Sequence, residues 1–227
     1  LEGYHVLVKE NQLQQEMKYK NHIILKYTIK YPRFISGTYY TLMSKLNALY
    51  RTKALIYQKN NVMNLYQMAM AEYEYSVAHN YPVREFEAYV NYEVTYNQNC
   101  ALSLYFDQYE YSGGAHGLTE RESDNWDLQR SRRMEMADYY PNQSNYKDIV
   151  MQEIIDQIKT QIASGDAMYF DDYEKLVRDT FKPKNFYLSP EGLVIYFQQY
   201  DIAPYAAGIP TFTIPYTPNG PVEPQCG

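Results

Sequence analysis

Residues 86–96 alternate with a period of two: Phe86, Ala88, Val90, Tyr92, Val94 and Tyr96 fall on one side, and Glu87, Tyr89, Asn91, Glu93 and Thr95 on the other. That pattern predicts a strand with one buried and one wet face. Leu102, Leu104 and Phe106 continue it in a second strand, and the polar Asn97-Gln98-Asn99 between them predicts an antiparallel hairpin. A looser alternation over 22–31, stopping before Pro32, predicts an earlier strand. After the Ser36-Gly37 breaker the period becomes helical, with Tyr39, Leu42, Met43, Leu46, Leu49 and Tyr50, then Leu55, Met63, Tyr66 and Met70. This helix is expected to run to His79 with a break near 59–61.

The second half repeats the alternation of periods. A glycine-rich stretch, 112–117, precedes a predicted strand over 119–128. Asn145 and Asp148 predict the capped start of another helix, with Ile149, Ile154, Ile155, Ile158 and Ile162 as its apolar stripe before Ser164-Gly165. A shorter helix over 170–180 and short strands over 186–188, 193–197 and 211–214 follow. The Pro-rich polar residues 218–227 are expected to form a flexible tail. The fold class is therefore expected to be α+β. Mixed or antiparallel sheets would pack against a few helices in two closely associated subdomains, 1–99 and 100–217.

Composition supports a folded chain. Of 227 residues, 45% are hydrophobic and 28 are tyrosines, whereas disorder goes with few aromatics and a high net charge. The net charge of −6 argues against a general nucleic-acid binder, which displaces counterions with a basic surface. Charge is uneven: residues 1–99 hold 11 Lys/Arg and 8 Glu, net +3, and the remainder is net −9. This step near residues 97–100 is the cue for the subdomain boundary. No apolar stretch approaches the length that spans a bilayer, and the opening LEGYHVLVKE does not read as a signal peptide, although an anchor or leader could precede it. Cys100 and Cys226 are too widely spaced for a zinc knuckle or a CxxC pair. Free thiols are expected, with a single pairing as the alternative in an oxidising compartment.

Candidate chemistry is sparse. His5, His22, His79 and His116 lack zinc-site spacings, so neither a metal nor a cofactor is expected. The SGGAHG run lacks the endings of a phosphate loop, and no GxSxG elbow occurs. Ser112 and Ser123 read as turn and strand residues. Glycosidase-like carboxylates could be sought among Glu85, Glu87 and Glu93 or Asp171, Asp172 and Glu174. A wet sheet face and a helix N-terminus account for these groups without catalysis, and 166–174 does not match a calcium loop. No catalytic residue is nominated. Binding is better served: Gly113 and Gly114 free the backbone around His116, which reads first as a turn residue and second as a contact. Pro204, Tyr205 and Gly208, with Tyr200, describe a stiff tyrosine-bearing loop.

Two segments, LSLYFDQYEYSGGAHG over 102–117 and FYLSPEGLVIYFQQYDIAPYAAGIPTFTIPY over 186–216, together resemble a known extracytoplasmic region. It is shared by anti-sigma-V-type regulators and the non-catalytic N-terminal part of some peptidoglycan deacetylases. The resemblance implies an α/β domain on the outer face of a bacterial membrane, or secreted, in a parent protein that can be membrane-anchored. In such regulators the domain binds lysozyme. The resemblance thus implies lysozyme or another cationic extracellular protein as partner, with Gly113, Gly114, His116, Pro204, Tyr205 and Gly208 making or shaping the contact. The −9 half would steer such a partner. The chain shows no sigma-binding segment, membrane helix or deacetylase metal motif. A peptidoglycan-binding domain and a wall hydrolase are the alternatives.

Overall fold

Paired residues at positive φ set the hairpins. In the computed structural model, which describes residues 6–165 and 167–227, β1 (Leu7–Tyr19) and β2 (His22–Ile35) are joined by Lys20 and Asn21, at φ 46° and 65°. Two consecutive positive φ values are the signature of a type I′ turn, whose twist matches antiparallel strands. β3 (Phe86–Gln98) and β4 (Ala101–Tyr111) are joined in the same way by Asn99 and Cys100, at φ 50° and 56°. The expected hairpin is present, and its turn falls at 99–100. His5 and Asp166 lie outside the described residues.

Six strands form one sheet in the order β1-β2-β3-β4-β5-β6, with β5 at Leu118–Asp127 and β6 at Arg132–Arg133. β1 carries no alternation of apolar and polar residues that would predict it. Its residues LVKENQLQQEMKY are mostly solvent-facing because it is the outer strand, and Lys9, Glu10, Glu16 and Lys18 discourage further strand addition there. The sheet is mixed, since β2 and β3 are parallel, with Leu25 opposite Phe86. A parallel pair needs a long crossover, and α1 (Tyr40–Tyr57) and α2 (Met63–Ala78) provide it. The expected break between them is a π-helical turn, Gln58–Val62, that keeps the helix continuous. Its wider turn carries the buried stripe from Tyr57 to Val62, a step of five, and so realigns Tyr50, Ala54 and Tyr57 with Leu65, Ala69 and Tyr73.

The chain forms two compact units, one comprising residues up to Tyr92 with 106–120, the other 93–105 with 121–227. It changes unit within β3, β4 and β5, so the charge step at 99–100 lies inside the second unit. In the first unit α1 packs on β2. Tyr50 lies 5.9 Å from the Phe34 ring and 5.4 Å from Phe106, and Ile24, Ile29, Leu42 and Leu46 fill the remaining core.

The second unit packs α3 (Tyr146–Ser164) and α4 (Tyr173–Thr180) with a three-stranded antiparallel sheet, β7 (Phe186–Ser189), β8 (Gly192–Tyr196) and β9 (Thr211–Pro215). Val150, Ile154, Ile155 and Ile158 meet Phe186, Leu188, Leu193, Ile195 and Phe212 in one cluster. Each such side chain contributes about 1.5–3 kcal/mol when fully buried. The stripe is narrower than expected, because Ile149 and Ile162 are 39% and 44% exposed. The Asn145 side chain makes no capping bond, and the firm boundary of α3 is its end, at Gly165 with φ 83°.

The expectation of two free thiols is corrected: Cys100 and Cys226 form a disulfide. Nothing in their spacing of 126 residues announces it. The terminal segment returns to the 99–100 turn because Val222 N–H donates to the Tyr139 carbonyl at 2.9 Å and Asn99 donates to Glu223 at 3.3 Å. Pro221 is buried. Residues 218–227, expected to fray, are thus tied at several points.

Candidate recognition loops

The six residues singled out in the sequence fall on two loops, three on each, and the loops belong to different units. In the first unit, residues 112–117 are held from within. The Arg84 guanidinium donates to the Gly113 carbonyl and, at 3.4 Å, to that of Gly114. The Tyr111 hydroxyl donates to the same Gly114 carbonyl at 3.0 Å. Gly113 has φ 87°, and a Cβ there would sit 3.0 Å from the Phe86 ring. His116 is exposed, and its Nδ1 donates to the Gly117 carbonyl at 3.1 Å. The loop is thus organised by carbonyls turned to one arginine.

In the second unit, residues 198–210 form a loop fixed by an amide. The Gln198 side chain accepts from Arg121 N–H at 2.9 Å and donates to the Arg121 carbonyl at 2.7 Å, so it pairs with β5 as a neighbouring strand would. Asp201 accepts from Gln198 N–H at 3.0 Å, and burial pushes its carboxyl above the usual range. Ile202 and Ala203 are buried, and the Ile202 carbonyl accepts from Phe170 N–H. Pro204 then leads into a single 3-10 turn, Tyr205–Ala207, closed by Gly208 at φ 67°. A Cβ on Gly208 would meet nothing, so its backbone conformation alone calls for glycine. Tyr200, also at positive φ, is 48% exposed and places its ring 6.0 Å from Tyr205.

Beside this anchoring point the Arg121 guanidinium lies 3.8 Å over the Tyr105 ring and 5.8 Å from Tyr196. Tyr187 is 5.0 Å from Tyr105, whose hydroxyl donates to Glu93 at 2.5 Å. Burial holds the Tyr196 phenol well above its ordinary pKa, and it shares a 2.9 Å bond with Ser123. Ser123 also donates to the Phe186 carbonyl at 2.6 Å and so bridges strands. The carboxylates considered for hydrolysis are dispersed: Glu85 pairs with Lys26 at 3.2 Å, Glu174 pairs with Lys159 at 3.1 Å, and Asp172 precedes α4. Among the described residues, no three His, Cys, Asp or Glu side chains converge on a metal-sized site. Gln198 and Arg121 were not singled out in the sequence, since an amide pairing with a distant strand has no sequence signature.

Residues 18–119 match the family described as deacetylase PdaC, and residues 138–217 match the family described as a protein of unknown function, DUF3298. The chain contains a region shared with PdaC-like proteins. A curated relative, the peptidoglycan-N-acetylmuramic acid deacetylase PdaC of Bacillus subtilis, is 23% identical over 124 residues. That match takes in 52% of this chain and a quarter of the relative's length. Among solved structures, a DUF3298 family member from Bacteroides fragilis has a TM-score of 0.70 at 20% identity, covering 95% of this chain and 92% of that one. A DUF3298 family protein from Pseudomonas aeruginosa PAO1 has a TM-score of 0.60 at 16% identity, covering 94% of both chains. These two structures share the fold. The α+β arrangement of two sheets with helices is the expected class.

Proposed function

We propose that this chain is an extracytoplasmic, cell-wall-associated recognition domain that acts by binding a protein partner. The observation that carries the reading is the 198–210 loop, where Tyr200 and Tyr205 stand on a backbone anchored to β5 by Gln198. Aromatic anchors on a rigid support form the centres of protein interfaces, because little freedom is lost when they dock. Two further observations support the location. The chain is similar to a peptidoglycan deacetylase, and a disulfide persists in oxidising compartments.

The partner we propose is a cationic extracellular protein, lysozyme being the first to test, as in anti-sigma-V-type regulators. Residues 100–227, at −9, would raise the encounter rate, while the tyrosines would hold the complex. The test is calorimetric titration with a cationic lysozyme at two salt concentrations, using the intact chain and a Tyr200→Ala/Tyr205→Ala variant. Saturable binding that survives moderate salt in the intact chain and weakens at least about tenfold in the variant is expected. Equal binding by both chains would remove the loop from the mechanism, and no binding by either would remove this partner.

A further inference from the structure

The first unit carries an aromatic cluster outside both loops. α2 ends at Ala78, and beyond it Asn80 adopts φ 56°. Tyr81 N–H donates to the Ser76 carbonyl at 2.8 Å and Asn80 N–H to the Val77 carbonyl at 3.4 Å. These are the paired bonds of a Schellman ending, and Pro82 follows. The motif brings the residue after the turn back onto the last full turn of the helix, so Tyr81 reaches Tyr75, with ring centroids 6.0 Å apart. His79 completes the group, 4.2 Å from Tyr75 and 5.9 Å from Tyr81, nearly parallel to the latter at 17°.

An aliphatic pair would satisfy the helix ending, yet here three rings stand in solvent. Tyr75 and Tyr81 are 53% and 56% exposed. His79 Nδ1 donates to the Tyr75 carbonyl at 2.8 Å, which in the neutral ring leaves Nε2 as an acceptor. Flat π-faces rimmed by two phenols and an imidazole suit a pyranose ring: the sugar's axial C–H bonds meet the rings, and its hydroxyl and acetamido groups meet the polar rim. The cluster lies within residues 18–119, the segment that matches PdaC. It also lies in the half of the chain that is net +3, complementary to a wall rich in carboxylates.

We propose that Tyr75, His79 and Tyr81 form a stacking site for a β-linked N-acetylhexosamine chain, a second contact by which the domain sits on the glycan of the wall. It rests on the wall location proposed above but is independent of the protein-binding loop. The test titrates the intact chain, a Tyr75→Ala/Tyr81→Ala variant and a Tyr75→Phe/Tyr81→Phe variant with the β-1,4-linked N-acetylglucosamine hexamer. Amide chemical shifts report binding, and co-sedimentation with insoluble peptidoglycan runs in parallel. Saturable binding is expected for the intact chain, at least about tenfold weaker for the alanine variant and within about threefold for the phenylalanine variant, which keeps the rings. Thermal melts check that the alanine variant is folded, and a single Tyr81→Ala change serves if it is not.

Hexamer binding that the alanine changes leave intact would overturn the site, as would no saturable binding by the intact chain. If sedimentation persists in either case, the wall location stands and only this site fails. If neither hexamer binding nor sedimentation occurs, the site and the wall location fail together.

Discussion

In each unit a carboxamide pairs with both main-chain groups of a strand residue, and the two pairs are used differently. In the first unit Asn47 of α1 accepts from Phe34 N–H at 2.7 Å and donates to the Phe34 carbonyl at 2.9 Å. It welds a regular helix to a strand whose partner residue is 1% exposed. In the second unit Gln198 makes the same two bonds to Arg121 from an irregular segment. The first bond pair serves the scaffold, the second immobilises a candidate binding loop. A shared chemical device therefore has a structural role where regular elements already meet and a positioning role where the chain has no ladder of its own. The units differ in a second respect: the second is cross-linked by Cys100–Cys226, whereas the first contains no cysteine and is held by packing, hydrogen bonds and ion pairs.

The largest expected effect tests that cross-link. Closing a loop across 126 residues is worth about 5 kcal/mol in the chain-entropy treatment. A Cys100→Ser/Cys226→Ser variant should unfold at much lower denaturant concentration. The sole tryptophan, Trp126, lies in the second unit and reports it by fluorescence. If the Trp126 transition does not move, the second unit does not depend on its disulfide.

Next come the amides. Asn47→Ala should cost about 2 kcal/mol, since it leaves two Phe34 main-chain groups poorly paired, and it should leave partner binding unchanged. Gln198→Ala should cost about 1 kcal/mol of stability, because its position is partly exposed and water can replace the bonds, but it should weaken partner binding several-fold. Chemical denaturation and titration of both variants decide the matter. Equal effects on binding would end the distinction drawn between the two amides.

The smallest effect concerns acid. Burial alone would raise Asp138, but its bonds to Arg132 and to Glu135 N–H, with the arginine's charge, hold it below its ordinary 3.8. Glu74 in the first unit is also lowered, by Lys20 and Tyr19, but stands in open solvent. For a lowered carboxyl, the stabilisation is present above the ordinary value and is lost as pH falls through the folded one. Asp138→Asn should therefore flatten the loss of stability below about pH 4. Glu74→Gln should barely change it, because solvent screens an exposed pair. Melting temperatures across this range give the comparison, and identical acid limbs for all three chains would contradict it.

How much was legible depended on whether the signal was local. The β3 alternation and the helical run from Tyr39 towards His79 follow from side-chain period, which records the buried face, and the short strands over 186–188, 193–197 and 211–214 from brief apolar runs. The glycine loop and the 199–210 loop were legible because Gly, Pro and Tyr carry their conformational bias with them. The helix ending that gathers Tyr75, His79 and Tyr81 was not read, since Asn80 followed by Tyr81-Pro82 marks only a stop and says nothing about which rings meet there.

By itself the sequence determined the folded α+β class, the acidic second half and the positions where the backbone must turn, because each rests on residues close together in the chain. Tertiary structure alone decided that β1 pairs as an outer strand, that Cys100 meets Cys226 and that Gln198 finds the backbone of Arg121. In these the partners lie far apart in sequence or, for the polar β1, follow no buried pattern, and only the packing of whole elements brings them together.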